Sequence, residues 1–236
     1  MEEKFFLSLA GSYIRSKLMI SNISDIDAIN IAKKEKIQHI YRFKKHQVVP
    51  RVKAIIDIVI HSNFKTILDV ASQRGALLFP LIDQLYINNI DFNITSIDVN
   101  DDIINFLQHT SSDIDRFNVI KSDVTNLNSF KDTSYECIIC SEILEHLENP
   151  MKAAKEMVRV SSNYIICSVP ALPDENNEHI QLFYDRKQHD VKTISRQIQY
   201  KQTNLKHLWL DAGALSCKIR IINEPPYSIL IAVVKV

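Results

Sequence analysis

The chain has 236 residues, 46% of them hydrophobic and 24% charged, with one tryptophan and only three glycines, Gly11, Gly75 and Gly213. Ordinary usage would give roughly 16 glycines, so collagen-like, linker-rich and glycine-looped classes are excluded, and one globular domain with an appendage is expected. The formal net charge of zero is a cancellation: residues 1–66 carry 12 basic and 6 acidic side chains, residues 67–160 carry 7 and 15, and residues 161–236 carry 9 and 7.

The chain opens Met1-Glu2-Glu3-Lys4, without a basic region ahead of its short apolar stretch. No apolar run approaches the roughly 18 residues of a membrane span, so an uncleaved cytoplasmic protein with no membrane span is expected. Apolar positions at helical spacing predict helices over 4–20 and 25–43, the second capped by Ser24 or Asp25. Together these make an N-terminal helical segment over residues 1–46. The run Lys33 to Lys53 sets Lys33, Lys34, Lys36, Arg42, Lys44, Lys45, Arg51 and Lys53 against Glu35 alone. It suits an anionic substrate or an RNA backbone, or it is simply a solvated helix face. A third helix begins near Pro50, a residue suited to a first helical turn.

From Thr66 the period shortens. Strands are predicted at Thr66–Val70, Ile94–Val99, Asn118–Lys121, Tyr135–Cys140, Tyr164–Val169, Ser216–Ile222 and Ser228–Val236, with helices at 76–87, 101–109, 150–160 and 203–212. Alternation of this kind implies parallel pairing through right-handed crossovers. Only Asn223-Glu224-Pro225-Pro226-Tyr227 separates the last two strands, too short a link for a crossover, so the final strand should run antiparallel. The expected fold is α/β: an open, mostly parallel seven-stranded sheet with helices on both faces. Cys137-Ile-Ile-Cys140 has the spelling of a redox or zinc pair, but residues three apart in a strand face opposite ways. Both read as buried core thiols.

In an open α/β sheet the ligand lies beyond the carboxyl ends of the strands. The first strand ends Asp69-Val70-Ala71-Ser72-Gln73-Arg74-Gly75, the second Asp98-Val99-Asn100 and the third Asp123-Val124. Three consecutive strands thus place an acid at or just past this edge, which suits a positively charged nucleoside better than a dinucleotide. The ordered set resembles the class I, Rossmann-like S-adenosyl-L-methionine-dependent methyltransferases over about residues 48–236. Tyr135 to Leu147, Met157 to Val160 with Ser168-Val169-Pro170, and Asp211-Ala212-Gly213 are also similar to segments of that family.

The resemblance implies that Asp69, Ala71, Ser72 and Gly75 hold the methionine moiety. It implies that Asp98, with Val99, holds the ribose, and that Asp123 and Val124 lie by the adenine, with Cys140 at the end of the fourth strand beside the cofactor. It also implies the N-terminal cap and a substrate-side insertion over 170–203 within a methyltransferase domain spanning 47–236. The family loop is Asp/Glu-x-Gly-x-Gly-x-Gly, and Ala71 and Gln73 stand at the first two glycines. Glycine there admits positive φ and close backbone approach, so a degenerate, non-catalytic binding protein is a second expectation.

After the fourth strand, Glu142, Glu145 and His146 have a spacing that brings all three close together if the segment is helical. Two carboxylates and an imidazole suit Mg²⁺, Mn²⁺ or Zn²⁺. The segment resembles those of quinone-biosynthesis O-methyltransferases and of small-RNA 2′-O-methyltransferases. In both, the resemblance implies a divalent metal that binds substrate oxygens, with a further ligand from 170–203, His189 by its His-Asp spelling; His179 is the other histidine of interest there. Without a metal, His146 is the candidate general base, with Glu142 beside it. The expected activity is methyl transfer to an oxygen of a small-molecule acceptor, the alternative being an RNA 2′-hydroxyl. The sequence leaves the oligomeric state open.

Overall fold

The computed structural model describes residues 49–73, 75–111, 114–171, 181–188, 191–198, 200–224 and 227–236. The N-terminal cap, most of the basic run, His179 and His189 lie outside the described residues.

Helix α1 (Pro50–Ser62) starts on a proline at its first turn and stops at Asn63, whose left-handed backbone (φ 53°, ψ 44°) lets its N–H donate to Val59 O. Strand β1 (Thr66–Val70) follows, then α2 (Leu78–Ile87), β2 (Asn93–Asp98), α3 (Asp101–Thr110) and β3 (Phe117–Lys121). Helix α3 begins where the Asn100 side chain accepts from the N–H groups of Asp102 and Ile103, at 2.8 and 3.4 Å. Strand β4 (Tyr135–Ser141) leads through a single 3₁₀ turn (Leu144–His146) into α4 (Pro150–Val160), which Asn149 caps by accepting from Lys152 N at 3.0 Å. Strand β5 (Ser161–Pro170), strands β6 (Gln181–Gln188) and β7 (Val191–Ile198), helix α5 (Gln202–Asp211) and strands β8 (Ser216–Glu224) and β9 (Tyr227–Lys235) complete the chain.

Seven strands form one sheet in the order β3-β2-β1-β4-β5-β9-β8. Strands β1 to β5 are mutually parallel and β9 runs antiparallel to both β5 and β8. The sequence-based strands all appear, and the last is antiparallel as the short link requires. The strand order reverses where β1 lies between β2 and β4, so a cleft opens at the carboxyl end of β1.

Side-chain alternation divides the core into two layers. Ile67, Cys137, Ile139, Ile166 and Ile231 pack with Ile55, Val59, Leu81 and Leu107 of α1, α2 and α3. Leu68, Ile138, Cys140, Cys167 and Leu230 pack on the other face with Ala154 and Met157 of α4 and with Leu205 and Trp209 of α5. Cys137 and Cys140 therefore face opposite ways, and Cys137, Cys140, Cys167 and Cys217 are all free and buried.

The hairpin β6–β7, a separate two-stranded sheet, was not anticipated. Its segments, Gln-Leu-Phe-Tyr-Asp-Arg-Lys-Gln and Val-Lys-Thr-Ile-Ser-Arg-Gln-Ile, are polar and lack the two-residue apolar alternation that marks a half-buried strand. At its base, Ala171 bridges to Tyr200, and Tyr200 N donates to Pro170 O at 3.3 Å.

Candidate active site

The link from β1 to α2 keeps the shape of a glycine-rich loop without the glycines. Ala71 and Gln73 have φ of 55° and 47°, and Gly75 has 72°. Left-handed backbone at an ordinary residue costs on the order of 1–2 kcal/mol, so the surrounding bonds must hold it. They are identifiable. Ala71 N donates to Ile97 O at 2.8 Å and Gly75 N to Ser72 O at 3.0 Å. Ser96 Oγ donates to Ser72 Oγ at 2.6 Å, and Ser72 Oγ in turn to Asp69 O at 3.1 Å. At Gly75 a Cβ would fall 2.4 Å from the ring of Phe79, so glycine is required there for space as well as for φ.

Asp69 is buried, and its Oδ2 has no hydrogen-bond partner among the described residues. Burial pushes its carboxyl from 3.8 up to about 7, with Ser72 opposing and the Asp98 charge adding to the rise. Such an oxygen has the chemistry to accept from, or pair with, a cationic group. Asp98, also buried, accepts from Asn100 N through Oδ1 at 3.0 Å and from Gln73 N through Oδ2 at 3.2 Å. Val99 next to it is 60% exposed, an apolar platform turned outward at the edge. Asp123 caps its own turn: its Oδ1 accepts from Thr125 N at 2.8 Å, while Val124 is buried in the second core layer. The segment after Asp123 is held by α4, because Arg159 donates to Leu127 O (2.9 Å) and Phe130 O (3.0 Å) and pairs with Glu156 and Asp132. Cys140 has no exposed surface, so its thiol belongs to the core and does not line the cleft.

The residues after β4 depart from the helical-face geometry. Glu142 precedes the 3₁₀ turn and has φ of 56°, so no helix face carries both it and Glu145. Its N–H donates to Ser168 O at 2.9 Å and its Oε1 accepts from Ser168 Oγ at 3.0 Å, which ties the end of β4 to β5. Glu145 is 1% exposed, and neither of its oxygens has a hydrogen-bond partner among the described residues. Burial drives its carboxyl well above the usual range, and the Glu142 charge drives it further. His146 Nε2 lies 3.8 Å from Glu145 Oε1, with the imidazole reaching solvent. Among the described residues no three His, Cys, Asp or Glu side chains converge on one point as metal ligands. The set Glu142, Glu145 and His146 is brought near, but it does not form the expected three-ligand centre.

The structure adds residues that the sequence reading did not single out for this site. Arg51 at the start of α1 donates to Glu224 at the end of β8 through Nη1, and also through its own backbone N–H at 2.9 Å. Its charge lowers the carboxyls of both Glu142 and Glu145, against the burial that raises them. Arg51 Nε is buried and unpartnered among the described residues. Tyr200, at the base of the hairpin, donates its hydroxyl to Leu144 O at 3.5 Å. These contacts join residues up to 173 positions apart, and no local pattern announces them.

The sheet order, the reversal beside β1 and the antiparallel β9 define a Rossmann-like methyltransferase fold, and solved structures share it. Magnesium protoporphyrin IX methyltransferase from Synechocystis PCC 6803 with bound SAH superposes with a TM-score of 0.59 at 14% identity, covering 79% of this chain and 82% of that one. A SAM-dependent methyltransferase from Aquifex aeolicus gives 0.53 at 16% identity, over 79% and 97%. Residues 68–163 match a family described as methyltransferase domain. The ubiquinone biosynthesis O-methyltransferase of Rickettsia akari (strain Hartford) is 29% identical over 150 residues, 58% of this chain. The match spans 57% of that relative's length. These similarities support a class I S-adenosyl-L-methionine-dependent methyltransferase, with the methyltransferase-domain match confined to residues 68–163.

Proposed function

We propose that this protein methylates an oxygen of a small-molecule acceptor. The observation that carries the cofactor half of this reading is the loop at 71–75, whose left-handed turns persist although two of its three usual glycines are absent. A degenerate site would have no reason to retain that strained conformation. S-adenosyl-L-methionine fits the chemistry of these residues: Asp69 would offer an unpartnered buried carboxylate oxygen to its cationic methionine end, Asp98, with Val99, would hold the ribose diol, and Asp123 would lie by the adenine. The unpartnered Nε of Arg51 suits the methionine carboxylate. Bound there, the cofactor supplies a methyl group already activated by its sulfonium.

What remains for the chain is alignment and proton removal. His146, whose imidazole reaches solvent, is the candidate to take the acceptor proton. The Glu142–Ser168 bond fixes the turn that carries His146 and the buried Glu145 beside it. The acceptor oxygen gains the methyl group and loses its proton to His146. The oxygen specificity and the small acceptor are supported by the similarity to an O-methyltransferase. Because the three donors do not converge among the described residues, no step is assigned to a metal.

Titration calorimetry with S-adenosyl-L-methionine, followed by transfer of a labelled methyl group into metabolite pools, tests the reading. Saturable cofactor binding and a labelled small molecule whose methyl is bound to oxygen are expected. Absence of binding at millimolar cofactor would overturn it.

A further inference from the structure

A cavity of about 410 Å³ lies at the amino-terminal edge of the parallel strands. Its origin is local. Helix α1 ends at Ser62 and the chain turns back through Asn63 and Phe64 into β1, so the face of β5, β9 and β8 runs on past the last helical turn. Strand register places two rows of side chains on that uncovered face. Tyr164, Lys235 and Ser216 are directly opposite one another, and Ile166, Val233 and Lys218 form the adjacent row. Phe64 closes the wall, with its ring 5.7 Å from that of Tyr164.

Lys218 and Lys235 are thus diagonal neighbours on one face of an antiparallel pair, a separation of about 7–8 Å between backbones. Two ammonium groups at that spacing repel, and the residues lining this cavity include no acid to offset them. The floor is aromatic and aliphatic. A ligand that meets both requirements has a flat apolar body and one anionic end.

We propose that this cavity binds a small aromatic carboxylate, the ring resting against Tyr164, Phe64 and Ile166 and the carboxylate between Lys218 and Lys235. Its volume lies within the range of small-molecule sites. The site is remote from Asp69, Asp98 and His146, at the other end of the same strands, and does not depend on the acceptor assigned above.

The test uses the whole chain and two probes that differ only in charge, phenylacetate and phenylacetamide, followed by amide NMR shifts. Phenylacetate is expected to bind saturably and to perturb Phe64, Tyr164, Val233 and Lys218, with the amide weaker by about tenfold or more. Replacing both lysines (Lys218→Ala with Lys235→Ala) should weaken phenylacetate by at least about tenfold, equivalent to about 1.4 kcal/mol. Cofactor affinity in the same double variant should match wild type, which shows that it is folded. Val233→Trp, which fills the floor, should abolish binding of both probes. The proposal is overturned by equal affinity for acid and amide, by unchanged affinity in the double lysine variant, by shifts confined to the carboxyl edge, or by no saturable shift at all.

Discussion

The backbone N–H of Gln73 donates to Oδ2 of Asp98 at 3.2 Å, with Gln73 itself at φ 47°. The residue that replaces a glycine in the cofactor loop is thereby held left-handed by the acid proposed to bind the ribose. Loop shape and ribose site are coupled through one bond.

That coupling makes glycine substitution informative. Gln73→Gly and Ala71→Gly each remove a left-handed penalty while keeping the N–H donors, so each should raise stability by about 1 kcal/mol. Urea midpoints with an unchanged slope would record it. Cofactor affinity should hold or improve, and a loss of stability in both variants would mean that the loop is not strained. Asp98→Ala, by contrast, should weaken cofactor binding and loosen residues 71–75.

Asp69 gives a pH dependence with a definite sign. Its folded carboxyl titrates near 7, against 3.8 for the unreacted group. Between those values the native state retains a proton that the unfolded chain has lost, so this residue's contribution makes stability fall as pH rises from about 4 to about 7, by a few kcal/mol. Asp69→Asn should flatten that slope. A cationic ligand favours the ionised carboxylate, so cofactor binding near pH 6 should release a proton, seen as a calorimetric heat that varies with the buffer's ionisation enthalpy. Binding heats independent of buffer would remove Asp69 from contact with the positive end of the cofactor.

For the acceptor side, His146→Ala should lower kcat by about 10²- to 10⁴-fold and leave cofactor affinity nearly unchanged. The acidic limb of the pH–rate profile should disappear with it. Activity should survive treatment with chelator. Loss of activity that Mg²⁺ or Zn²⁺ restores would instead assign Glu142, Glu145 and His146 to a metal.

Arg159→Met tests the support of the adenine segment. The substitution leaves the carbonyls of Leu127 and Phe130 without the guanidinium that now serves them and separates Glu156 from its partner. A destabilisation of about 2–3 kcal/mol is expected, together with weaker cofactor binding through loosening around Asp123. An unchanged cofactor affinity in a measurably destabilised variant would separate that segment from the ligand.

The parallel core was legible because each of its strands is a short apolar run ending in a polar turn, as at Ile67-Leu68-Asp69 and Ile97-Asp98. The short final link announced the reversal of β9 for a covalent reason. The hairpin β6–β7 was hidden by its polar composition, and the positive φ at Glu142 by a residue type that carries no sign of it. Arg51, Glu224 and Ser168 were invisible as site residues for a further reason. Their meeting is made by sheet order, which places β8 two strands from β5 and brings the start of α1 against the end of β8.

The bridge between Ala171 and Tyr200 means that the chain departs from the core and re-enters it at one point. Altering the length of the intervening chain adds little closure entropy, since each doubling of such a loop costs only about 0.6 kcal/mol. The segment between these two residues can therefore be exchanged while the parallel sheet and its strand-end loops are left in place.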